Sequence, residues 1–126
     1  MHAATDMNPI AEKLKARTKT FALDVIHFVD ALPRTPATDV MGRQLLRAGT
    51  GVAGNYRSAC RARSHAEFTA RIGVVLEEAD ESELWLELFV ESKLRNIVVP
   101  ARLVQESHEL RAIFVQSNLT ARSRKH

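Results

Sequence analysis

The sequence predicts an all-α protein: an antiparallel up-down four-helix bundle made as a single domain over residues 1–126. Three observations carry this expectation. Four long segments repeat apolar residues at helical spacing, and no alternating stretch is long enough for a strand. Only five Gly and four Pro interrupt 126 residues that are 45% hydrophobic and 26% charged. The breaks are short, which favours antiparallel neighbours. A chain of this length buries roughly two-thirds of its unfolded surface, so it needs no disulfide, and Cys60 is its one cysteine.

The first helix is expected over about residues 8–32, with Asn8 as N-cap, Pro9 at the first helical position and apolar residues at Leu14, Phe21, Val25, Phe28 and Leu32. Pro33 and Pro36 read as stops. The second helix is placed at 39–63. The third, 64–93, opens on Ser64-His-Ala-Glu67, which has the form of a capping box. The fourth follows Pro100 over 100–121, before a basic tail at 122–126. No apolar run approaches the roughly 20 residues that cross a bilayer, and the start MHAATDMNPIAEK lacks the apolar middle of a signal peptide. The expectation is a cytoplasmic protein without membrane association.

Net charge is +3, too small by itself to argue for nucleic acid. Its distribution says more. Residues 1–63 hold ten Lys/Arg and five Asp/Glu, residues 64–91 one and eight, and residues 92–126 seven and two. An acidic third helix between basic neighbours suggests charge complementarity between adjacent helices. On a helical wheel Arg43, Arg47, Arg57 and Arg61 share a sector of roughly 80° over a rise of about 27 Å, opposite Leu45, Val52, Ala53, Tyr56, Ala59 and Cys60. This arginine stripe, with Arg63 just beyond it, has three readings: pairing with acids, plain solvation, or contact with nucleic-acid phosphates.

The third helix carries Phe68, Ile72, Val75, Leu76, Ala79, Leu86 and Val90 on one stripe, while Leu84, Trp85 and Leu88 fall on or near the other side among Glu77, Glu81 and Glu87. A lone bundle has no use for a second apolar face. Leu84, Trp85, Leu88 and Glu81 are therefore the candidate oligomer interface, with acids placed to meet arginines of another copy. The alternative is that Trp85 packs at the edge of its own core.

Motifs for chemistry are weak. Gly49-Thr-Gly51-Val-Ala-Gly54 matches the dinucleotide pattern in letters, but the preceding QLLRA is helical and no strand feeds it. Ala48, Gly49, Ala53 and Gly54 read better as close helix packing. The five histidines are scattered, and only Asp24 and His27 have ligand-like spacing, so no metal site and no cofactor is expected. Cys60 lies on an apolar face without a histidine at helical spacing. Glu78 and Glu81, one turn apart on an acidic helix, do not make an acid/base pair. Neither an enzyme nor a small-molecule substrate is indicated.

The stretch QLLRAGTGVAGNYRSACRARSHAEFTARIGVVLEEADESELWLELFVES, residues 44–91, resembles the bacterial four-helix-bundle family first noted as products of intervening sequences in 23S ribosomal RNA genes, labelled S23 ribosomal proteins. The matching positions are Gln44, Leu45, Leu46 and Arg47; Asn55, Tyr56, Arg57 and Ala59; Arg63, Ser64 and Phe68; and Leu76, Glu78, Ala79, Glu81, Trp85 and Leu86. Ser58 departs where the pattern has an acid, and Glu83 where it often has a base. The resemblance implies a homopentameric ring without catalysis. The family is similar to the accessory protein of diversity-generating retroelements, a basic pentamer associated with nucleic acid, and that analogy favours RNA or DNA as partner of the stripe.

Overall fold

The computed structural model describes residues 8–124, so His2, Lys125 and His126 lie outside it. Among the described residues there are four helices and no strand: α1 Pro9–Asp30, α2 Pro36–Cys60, α3 His65–Ser92 and α4 Ala101–Ser123.

Each start has a local cause. Asn8 accepts from the N–H groups of Ile10 and Ala11, and Pro9 follows at a position that needs no donor. The α2 start corrects the expectation. Pro36 does not only end α1; it occupies the first turn of α2, where its fixed φ suits a helix. Thr35 caps it, with the Thr38 N–H donating to the Thr35 hydroxyl and the Thr35 N–H donating to the Thr38 hydroxyl. α2 also ends earlier, at Cys60, so Arg61 and Arg63 sit in the connection. Ser64 caps α3 through the Glu67 N–H, but the Glu67 carboxylate accepts from Arg63 rather than from Ser64. After α3 the chain turns through left-handed residues Lys93 and Asn96, and Pro100 precedes α4.

The four apolar stripes meet in one core, with Val25, Leu45, Val52, Ile72, Val75, Leu86, Leu110 and Phe114 sealed from solvent. Full burial of such side chains contributes about 1.5–3 kcal/mol each. Phe28 meets Phe89 edge-on at 5.2 Å, and Tyr56 leans on Phe114 at 5.5 Å. Burial pushes the Tyr56 hydroxyl pKa up, with Cys60 adding to the effect.

Helix order around the bundle follows chain order. α2 packs along α1 and α3, and α4 packs along α3, while α1 and α4 share a thinner contact. The α1–α2 approach is close because α2 is smooth there: a Cβ on Gly49 would stand 2.9 Å from a Val25 methyl, and one on Gly42 3.2 Å from Leu32. Gly49 meets Val25 while Gly42, earlier in α2, meets the later Val29 and Leu32, so the two helices run in opposite directions. The thin α1–α4 seam is closed by charge. Arg17 grips Glu106 with two bonds of 2.7 Å and reaches Glu109 at 2.5 Å, and Arg102 meets Asp24 at 2.8 Å.

The bond from Gln105, with Arg17 second, holds the Glu109 carboxyl below its ordinary pKa. A carboxyl shifted this way contributes stability above its unfolded-state value and loses it as pH falls through the folded one. Arg17→Met should therefore lower the urea midpoint near neutral pH, and its gap from wild type should narrow as the solution is acidified through the carboxylate range.

Candidate functional site

The arginine stripe survives folding as an outward face. Arg43, Arg47, Arg57 and Arg61 are all exposed. Arg47 donates to Gln44 at 2.6 Å and acts electrostatically on Glu78, but no ion pair ties any of the four to an acid among the described residues. Arg63 is apart, 91% exposed and 3.9 Å from Glu67. The expected pairing of basic neighbours with the acidic α3 is thus confined to α4, where Arg111 lies 2.7 Å from Glu83. The α2 arginines are not used that way.

Between the two arginine pairs the same face of α2 holds Thr50 and Gly54, and a Cβ on Gly54 would meet nothing within 4 Å. Unlike Gly42 and Gly49, Gly54 has no packing reason inside this chain, although a mid-helix glycine costs about 1 kcal/mol against alanine. Gly54 thus departs from the expected close packing: it is exposed because it points away from α1. At the other end Arg57 and Arg61 join Lys15 and Lys19 of α1 around a 380 Å³ cleft, whose acid, Glu12, is held 2.9 Å from Lys15.

The candidate interface on α3 divides. Leu84 is 48% and Leu88 38% exposed, and with Val74, Glu77 and Glu81 they line one outward strip. Trp85 does not belong to it in the same way. It is half-buried and packs against the core, with its indole N–H buried and without an acceptor among the described residues. The edge-of-core alternative describes Trp85; the exposed-face reading describes Leu84 and Leu88. Glu81 is half-buried beside Glu78. Glu78 turns toward α2, where Gly51 leaves it room: a Cβ there would lie 2.9 Å from the Glu78 carboxyl carbon. Burial, then repulsion from Glu81, pushes the Glu78 pKa up, and Arg47 offsets this only in part.

A second constellation forms where the sequence pattern marks no site. Glu83 is 9% exposed and faces α4, where His108 Nδ1 contacts one carboxylate oxygen and Arg111 Nε the other. The Arg111 contact is an ion pair by distance rather than a well-aimed hydrogen bond. Glu87, one turn on, brings its carboxylate to the same place, and the ligand atoms of Glu83, Glu87 and His108 lie within 4.8 Å of one another. The sequence signal was the i,i+4 spacing of Glu83 and Glu87 against the i,i+3 spacing of His108 and Arg111. A search for Glu-x-x-His within one helix misses ligands split between two. Asp24 and His27, which had that spacing, form no such group: Asp24 is taken by Arg102.

No helix among the described residues is long and apolar enough to cross a membrane. No family model and no curated protein matches the chain. Among solved structures it is similar to a protein of unknown function from the S23 ribosomal protein family of Bacteroides thetaiotaomicron, with a TM-score of 0.73 and 28% identity, covering 83% of this chain and 97% of that one. The four-helix fold and the likeness inferred from residues 44–91 therefore agree. That neighbour brings no activity with it.

Because Glu83 is buried, losing Arg111 would leave its carboxylate under-paired. Arg111→Met should cost about 1–3 kcal/mol in denaturant unfolding, less than breaking a fully buried pair, since the Arg111 side chain is 41% exposed.

Proposed function

We propose that this protein works as a self-assembling, non-catalytic bundle, in which the outward face of α2 in one copy meets the outward face of α3 in the next to build a homopentameric ring. The observation that carries the reading is complementarity left unused inside the chain. α2 presents arginines on either side of a bare Gly54, and α3 presents Val74, Leu84 and Leu88 interleaved with Glu77 and Glu81. Apolar side chains flanked by unpaired acids suit a basic, low-relief partner, and desolvating the pairs would strengthen them. Two like faces would set arginine against arginine or acid against acid. Contact between unlike faces is what closes a ring, and the ring size of five comes from the family resemblance.

The second reading is a nucleic-acid-binding accessory protein using Arg43, Arg47, Arg57, Arg61 and Arg63, and one observation favours it. The cleft lined by Lys15, Lys19, Arg57 and Arg61 gathers cations from two helices, as a phosphate backbone requires. The two readings compete for the same guanidinium groups.

Light scattering on the full chain should give about five times its 14.1 kDa. Leu84→Glu with Leu88→Glu should reduce this to the monomer mass with helicity intact; Trp85 is a poorer probe because it supports the core. A wild-type monomer at micromolar concentration contradicts the assembly. Retention on RNA and duplex DNA against rising salt tests the second reading. Phosphate binding predicts a steep loss, with a slope reduced by about 1 for each cation removed in Arg47→Ala and Arg57→Ala. No retention at low salt removes it.

A further inference from the structure

We propose that Glu83, Glu87 and His108 bind a divalent transition-metal ion at the seam between α3 and α4. The carboxylates of α3 fall into two groups. Glu77 and Glu81 lie on the outward strip with Leu84, whereas Glu83 is turned into the seam and buried. A carboxylate in that position needs compensation on both oxygens, and α4 supplies it unequally: a permanent cation, Arg111, on one and an imidazole nitrogen, His108 Nδ1, on the other. Glu87 then brings a second carboxylate oxygen within 4.8 Å of a ligand atom of Glu83 and of His108. Arg111 is the one permanent cation against the two carboxylates, so when His108 is neutral, as a metal ligand must be, one negative charge is left at the imidazole.

An ion placed among the three donor atoms would take one nitrogen and two oxygens and meet that remaining charge. Arg111 would stay on the far oxygen of Glu83, where an outer partner fixes the orientation of a ligating carboxylate. Two ligands one turn apart on a helix, with a third from its packed neighbour, is an arrangement a bundle builds without distorting its backbone. The imidazole selects the ion class: zinc, copper, iron or nickel, with cobalt as a spectroscopic stand-in for zinc, rather than calcium or magnesium, which favour all-oxygen shells. His108 keeps 43% of its side chain exposed, so an ion has a path in and water can complete the coordination. The site does not rest on assembly, because Glu83 and Glu87 of α3 meet His108 of α4 within one chain and apart from Leu84 and Leu88.

The full chain, stripped with a chelator, is titrated with Co2+ followed by its visible absorption, and with Zn2+ by calorimetry. One ion per chain is expected, with affinity lowered at least about tenfold in Glu87→Gln and in His108→Gln. His27→Gln, which removes an exposed histidine, should change nothing. Glu87→Gln leaves the contacts of Glu83 with His108 and Arg111 in place, so it decides the matter if His108→Gln fails to fold. Dissociation constants weaker than about 1 mM for both ions, or binding that neither variant weakens, would overturn the site and leave Glu83, His108 and Arg111 as an ion-pair network.

Discussion

Every ion pair that joins one helix to another, among the described residues, has α4 as a partner: Arg17 with Glu106 and Glu109, Asp24 with Arg102, and Glu83 with His108 and Arg111. This allocation shapes the rest of the molecule. The α1–α2 seam closes by apolar packing and the α2–α3 seam by apolar packing with the Glu78 carboxylate set against Gly51; among the described residues no ion pair crosses either, and the arginines of α2 and the outward acids of α3 are left without ion-pair partners. Exposed ion pairs contribute little, typically below about 1 kcal/mol each, so the bundle can stand without them. What the pairs on α4 contribute is concentrated at the buried Glu83, whereas the uncompensated charges of α2 and α3 cost a single chain little.

The glycines of α2 make the same separation. Gly42 and Gly49 are held small by Leu32 and Val25, so their cost in helix propensity is offset by the closeness of α1. At Gly51 a Cβ would meet only the end of the flexible Glu78 side chain, which can swing aside, so this position is not held small as Gly49 is. Gly54 has open space around it, in the middle of the face that carries the arginines. A helix that tolerates glycine where alanine would fit gains nothing within one chain; a neighbouring backbone approaching there would supply the reason.

Much of the fold was legible in the sequence because the 3.6-residue period, the Asn8-Pro9 start and the Ser64 cap act locally. Pro36 is ambiguous in the sequence for the opposite reason: proline ends one helix and begins another by the same property, and only the pairing of Thr35 with Thr38 decides between them. The arginine stripe was legible because exposure follows from the wheel. Trp85 was not, since a large side chain at the edge of a face can lean inward over its neighbours. Nor was the inward turn of Glu83, because an acidic helix does not reveal which of its carboxylates a distant His108 and Arg111 will claim.

Assembly through unlike faces requires that the face around Gly54 meet the strip around Leu84 of another copy. In a Cys60→Ser background, chains carrying Gly54→Cys are mixed with chains carrying Leu84→Cys, oxidised gently and separated by mass. The account predicts that the mixed disulfide dominates. Only like-with-like crosslinks, or none at all, would contradict it.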